Sequence, residues 1–180
     1  MSHQKPCRGL TMVYTGNGKG KTTAALGMAL RAVGHGMKVL VIEFLKGRRS
    51  SGEREAAKRL APELTILAAG GGFVPVRAEE WPPAVRKAVE HGWRQAEDAV
   101  SSDQYDMVVL DELNCVVDYG AVDIGGVLSL IARKPPHVHL VITGRNAHPR
   151  LVRAADLVTH VRSTKHPFTE GVPAQAGVEY

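Results

Sequence analysis

Short apolar runs and longer helical periods alternate along the chain from residue 10 onward. Residues 10–15, 38–43 (KVLVIE), 64–68, 107–110, 137–143 and 157–161 are apolar stretches of strand length. Between them lie segments with a period near 3.6. Residues 22–33 place Leu26, Leu30 and Val33 on one face, and Gly34 and Gly36 offer a stop. Residues 53–60 predict a polar-faced helix. Residues 84–100 carry Val85, Val89, Trp93, Ala96 and Val100 on a stripe, and 124–133 and 149–155 complete the set. The stretch 70–83, with three consecutive glycines and three prolines, is too broken for regular structure, and loops of that kind often carry function. Residues 1–9 read as a flexible arm and 163–180 as an irregular tail.

Strands alternating with helices imply right-handed crossovers and a doubly wound, mostly parallel α/β sheet with helices on both faces, in one domain spanning 1–180. Such sheets bind ligands at the carboxyl ends of their strands. Thr15, Glu43, Asp111 and Thr143 all fall at that edge.

Composition narrows the classes. The chain has 180 residues, 44% hydrophobic, enough for one buried core. The formal charge of +5 is mild and spread along the chain, which suits an anionic small ligand better than a nucleic-acid track. Cys7 and Cys115 are the only cysteines, with no C-x-x-C pair, so a structural zinc site is not expected. No apolar signal segment and no membrane-length run is present, and a reducing cytoplasm is the expected setting.

The sharpest motif is TGNGKGKTT at 15–23. It follows a predicted strand and opens a helix, the context a phosphate loop requires. Gly16, Gly18 and Gly20 let backbone N–H groups turn toward phosphate oxygens, with Asn17, Lys19 and Thr23 completing the cradle. Lys21 supplies a mobile cation and Thr22 a hydroxyl for Mg²⁺ (or Mn²⁺). The motif departs from G-x-x-x-x-G-K-[ST] in one place: Thr15 stands where the first glycine is expected. A second acidic element, MVVLDE, delivers Asp111 and Glu112 from an apolar strand, the usual companion of a phosphate loop, as metal ligands or base. Which of the two carboxylates meets the metal stays open at this point. In VITGRNAH, Arg145 follows a strand end, where its guanidinium suits oxyanions. His148 reads as a surface histidine and Trp93 as core. Lys46, Arg48 and Arg49 read as a solvated basic loop, and Trp81 is left unassigned.

Several separated segments resemble one family, the ATP:corrinoid adenosyltransferases. They are TGNGKGKTTAALG, AVGHG, VIEFLKG, LDELN with TGRNA, and the tail KHPFTEGVPAQAGVEY. The tail is the most specific, because generic phosphate-loop proteins lack it. The resemblance implies a P-loop NTPase (RecA-like) architecture that moves the 5′-deoxyadenosyl group of ATP to the Co(I) centre of cobalamin or cobyrinic acid a,c-diamide. The loop would then hold the leaving triphosphate, with ATP lying in reversed polarity. The resemblance further implies a homodimer, an external reductant such as a flavoprotein, no nucleic-acid or membrane partner, and a nucleotide contact from Arg31. It also implies an apolar wall for the corrinoid built from two aromatics. Phe73 matches the first, Pro75 stands where a tryptophan is expected, and Trp81, a little further along the chain, is a candidate to substitute for it in space. Glu43 replaces an expected glutamine. Rival readings are a kinase or NTPase using the loop in the ordinary orientation, and a corrinoid carrier without turnover.

Overall fold

The computed structural model describes residues 8–47, 51–72, 74–75 and 77–179. Six strands form one parallel sheet: β1 (Thr11–Thr15), β2 (Val39–Glu43), β3 (Leu64–Ala68), β4 (Met107–Asp111), β5 (His139–Thr143) and β6 (Leu157–His160). Their order across the sheet is β3-β2-β4-β5-β1-β6. The helices are α1 (Lys21–Val33), α2 (Gly52–Lys58), α3 (Pro83–Ser101), α4 (Leu113–Asp118), α5 (Ile124–Arg133) and α6 (Pro149–Ala154).

Strand alternation sorts the core into two layers. Leu40, Ile42, Val108, Leu110, Leu140 and Ile142 face one way, toward Val89, Ala96 and Val100 of α3 and Val127 and Leu130 of α5. Val39, Val41, Met107, Val109 and Val141 face the other way, toward α1 and Ala57 of α2. β2 and β4 are therefore apolar at every position up to the acid that ends each, because both of their faces are covered.

Four expectations change. The fully buried face of α1 is Ala25, Ala29 and Ala32 together with Lys21; Leu26 and Val33 pack half-buried against that layer as expected, but Leu30 is 57% exposed. Small side chains let α1 lie close on the sheet, and that brings its N-terminus to the strand ends. Trp81 is core at 2% exposed. Its indole N–H donates to the Pro75 carbonyl at 2.7 Å, and its ring meets Tyr119 edge-on. So placed, it does not stand in as a corrinoid wall. α4 continues directly from β4, where no helix was expected. The last two residues of the expected arm are held: Gly9 N–H donates to Pro136 O at 2.7 Å, and Arg8 pairs with Asp156. Trp93 is half-buried against the core, as its stripe predicts. The tail is irregular apart from one 3-10 turn, Pro167–Glu170. No helix among the described residues is long and apolar enough to cross a membrane.

Candidate active site

The loop between β1 and α1 turns on two left-handed glycines, Gly16 (φ 101°) and Gly20 (φ 106°). At Gly16 a β-carbon would lie 2.4 Å from Val161 O and against the His160 ring, so no side chain fits there. The irregular first position of the motif is thereby explained. The flexible residue is Gly16, and Thr15 closes β1 with its Oγ1 accepting from Ala147 N–H at 3.1 Å. Gly18 N–H donates to Val161 O at 2.9 Å, so this part of the loop leans on the segment leaving β6. Asn17, Lys19 and Thr23 are exposed, and Lys19 is ion-paired to Glu179 near the end of the tail.

Lys21 is 7% exposed and donates to Gly18 O at 2.7 Å. Burial depresses its pKa, and the Glu112 carboxylate partly opposes that. Gly20 caps α1 without a side-chain bond, so the first-turn N–H groups and the positive end of the helix dipole face the loop.

β4 carries Asp111 to the same edge. Asp111 Oδ1 accepts from Thr22 Oγ1 at 2.8 Å and from Thr143 Oγ1 at 2.7 Å, while Oδ2 is buried with no hydrogen-bond partner. Burial pushes the Asp111 carboxyl up to about 6, against the pull of both hydroxyls and of Lys46. Thr143, fully buried at the end of β5, also accepts from Glu112 N–H at 2.9 Å. That bond holds Glu112 in a left-handed conformation, φ 62°, which a residue with a side chain seldom adopts. Cys115 Sγ–H donates to Glu112 Oε2 at 3.0 Å, and the sulfur accepts from Arg145 N–H at 3.3 Å. Burial, with the Glu112 charge beside it, pushes the thiol up to about 12, so it stays protonated.

Lys46 is not a solvated loop cation. Its ammonium donates to Glu43 at 2.8 Å and Glu53 at 2.5 Å, and lies 4.0 Å from Asp111 Oδ2. Burial opposes its charge, but the two carboxylates outweigh that and raise its pKa. Glu43, 1% exposed, also takes Arg54 Nε at 2.7 Å. The buried acid is thus matched by two cations, as buried charges require. Arg48 and Arg49 lie outside the described residues.

The fold therefore brings together residues 16–23, Asp111, Glu112 and the loop carrying Arg145, whose side chain is exposed. It does not bring Arg31 there. Arg31 lies exposed in the last turn of α1, ten residues beyond Lys21 or roughly 15 Å along the axis. Phe73 lies outside the described residues. His148 caps α6, accepting from Arg150 N–H. Sequence reasoning marked Thr143 only as a strand end and missed its double bonding. It also missed the roles of Cys115 and of the Glu43–Lys46–Arg54 cluster. For Thr143 and Glu43 the signal was a position at a strand end, and for Cys115 a position one helical turn past Glu112; Lys46 and Arg54 carried neither.

Comparison with known proteins supplies what the geometry leaves open. Residues 7–180 match the family described as ATP:corrinoid adenosyltransferase BtuR/CobO/CobP. The chain is 40% identical to a corrinoid adenosyltransferase of Pseudomonas aeruginosa, covering 96% of this chain and 84% of that one. It is 41% identical to corrinoid adenosyltransferase CobA of Salmonella typhimurium, covering 96% and 86%. Among solved structures it resembles a KaiC-like protein of Pyrococcus horikoshii (TM-score 0.58, 14% identity, 86% of this chain and 72% of that one). It likewise resembles the flagellar accessory protein FlaH of Methanocaldococcus jannaschii (TM-score 0.56, 10% identity, 86% and 71%). These two likenesses concern fold alone, and they accord with a RecA-like P-loop sheet. With the family match spanning 7–180, the chain belongs to the ATP:corrinoid adenosyltransferases and is an enzyme of that class.

Proposed function

We propose that this enzyme transfers the 5′-deoxyadenosyl group of ATP to the Co(I) centre of a corrinoid and releases inorganic triphosphate. The observation that carries the reading is the family match over 7–180, which includes the tail that ordinary phosphate-loop enzymes lack. In the step, the cobalt lone pair forms the Co–C5′ bond. The C5′–O bond breaks, and triphosphate leaves with its electrons. Co(I) is itself the nucleophile, so no protein base is needed.

The protein's work is on the leaving group. Backbone N–H groups of the loop other than that of Gly18, which is bonded to Val161 O, and those at the start of α1 would face the phosphates, and Lys21 swings from Gly18 O to a phosphate oxygen. Arg145 adds a second cation from the β5 edge. Each stabilises charge growing on the departing oxygen. The residues also suit Mg²⁺ (or Mn²⁺). The Thr22 hydroxyl, Glu112 and the orphaned Asp111 Oδ2 are hard oxygen donors at one edge. Among the described residues no group of three or more His, Cys, Asp or Glu forms a cage, so the ion would take its remaining ligands from phosphates and water. When bound it neutralises the leaving polyanion.

The reading includes a homodimer in the cytoplasm, served by an external reductant of the flavoprotein kind. The corrinoid is cobalamin or cobyrinic acid a,c-diamide. The test is anaerobic incubation with ATP, Mg²⁺ and chemically reduced corrinoid. Triphosphate formed in equal amount to alkylcobalt supports it. ADP or phosphate as product would assign a phosphoryl-transfer enzyme, and tight corrinoid binding without product would assign a carrier.

A further inference from the structure

We propose that Cys115 is a positioning residue that fixes the Glu112 carboxylate for the divalent ion and ties it to the Arg145 loop. The inference rests on the reading that Glu112 serves a metal–triphosphate complex.

The backbone of Glu112 is already pinned. Its N–H is held by Thr143 Oγ1, and its carbonyl accepts from Cys115 N–H at 3.1 Å and Val116 N–H at 3.3 Å at the start of α4. What remains free is rotation of the side chain. The Cys115 thiol removes that freedom by donating to Oε2 at 3.0 Å. The same sulfur accepts the Arg145 N–H at 3.3 Å, so one atom joins the β4–α4 turn to the β5–α6 loop. A second observation points to the ligand being positioned. Asp111 Oδ2, in a side chain 1% exposed, has no hydrogen-bond partner and lies one residue from Glu112. The next shell around a metal site commonly sets its affinity through such bonds to the ligating groups.

The experiment measures binding of inorganic triphosphate by calorimetry, in excess Mg²⁺ and in chelator. The ratio of the two dissociation constants is the metal-dependent tightening. Cys115→Ala is expected to reduce that ratio about tenfold, with a smaller loss in the chelator value because the Arg145 loop also loses its bond to the sulfur. Cys115→Ser, which keeps a donor and an acceptor, is expected to restore most of the ratio. Cys115→Val fills the site, being larger than cysteine by about one methyl group, but lacks both bonds; it is expected to behave like Cys115→Ala, and it decides the matter if the alanine variant fails to fold. An unchanged ratio in Cys115→Val, equal losses in the serine and valine variants, or no metal-dependent tightening in the wild type would each overturn the proposal. Failure of the adenosyl-transfer reading shows separately, as wild-type protein that binds Mg²⁺–triphosphate tightly yet makes no alkylcobalt.

Discussion

Asp111→Asn should make the metal-free protein more stable while disabling it. The Asp111 carboxyl titrates at about 6 in the fold against 3.8 for the free side chain, chiefly because burial penalises its charged form. A folded pKa above the unfolded one means that the native state binds more protons between these values. Stability contributed by this group is therefore full below about pH 4 and is lost as pH rises through about 6. The shift is about two units at about 1.4 kcal/mol each, or about 3 kcal/mol in all. Asparagine mimics the protonated acid: its carbonyl can still accept from Thr22 and Thr143, and it has no charge to desolvate. The stability gap between variant and wild type should therefore be small near pH 4, widen by about 3 kcal/mol up to pH 7, and then level off. At roughly 2–4 °C per kcal/mol for a chain of this size, that is a rise of about 6–12 °C in melting temperature at pH 7.5. The measurement is urea unfolding of both proteins in chelator across pH 4–8, where titrations common to both cancel in the difference. Adding Mg²⁺ with triphosphate should stabilise the wild type and help the variant less. A gap that is constant with pH, or that shrinks as pH rises, would refute the claim that a strained carboxylate waits for a cation.

Thr143→Val removes a buried hydroxyl that serves Asp111 and Glu112 together, and should cost about 2–4 kcal/mol in denaturant unfolding, with Thr143→Ser close to wild type. An unaltered midpoint in the valine variant would mean that the two bonds carry no net stability. Lys21→Ala should lower adenosyl transfer by about a hundredfold or more yet shift the melting temperature only slightly, because the lysine's burial is itself costly; transfer rates and thermal melts together decide this. Trp81→Ala should cost about 3–5 kcal/mol, with unchanged corrinoid affinity in whatever folded protein remains. Near-normal stability with lost corrinoid binding would return Trp81 to the substrate wall.

Much of the fold was legible because both faces of the sheet are covered. β2 and β4 are apolar at every position up to the acid that ends them, and such runs can be read without periodicity. The end of β4 shows the limit of that reading. α4 follows Asp111 and Glu112 with only six residues, too few to establish a helical period, so its apolar side chains looked like loop. The face of α1 was only partly legible, for a different reason. Alanine is a good helix former wherever it stands, whereas Leu30 looks like core. Only the sheet's need for close approach selects the alanines. The Glu43–Lys46–Arg54 cluster could not be foreseen, since it depends on α2 folding back onto the β2 edge.

The site was legible as two motifs but not as one arrangement. The loop and the acidic pair occur about ninety residues apart in sequence, and their side chains imply a shared anion and metal without saying what separates them. The strand order answers that. β5 lies between β1 and β4, so the loop and the carboxylates stand two strand spacings apart, about 10 Å. The gap is closed from both sides: Thr22 reaches across from α1, and Thr143 sits at the end of the intervening strand with its hydroxyl against Asp111. On the proposed reading a phosphate chain would run along this sheet edge, with cations at the loop side and oxygen donors at the other. A site used in the proposed way would grip a polyanion along its length. That is the requirement when the whole triphosphate departs and carbon, not phosphorus, is attacked.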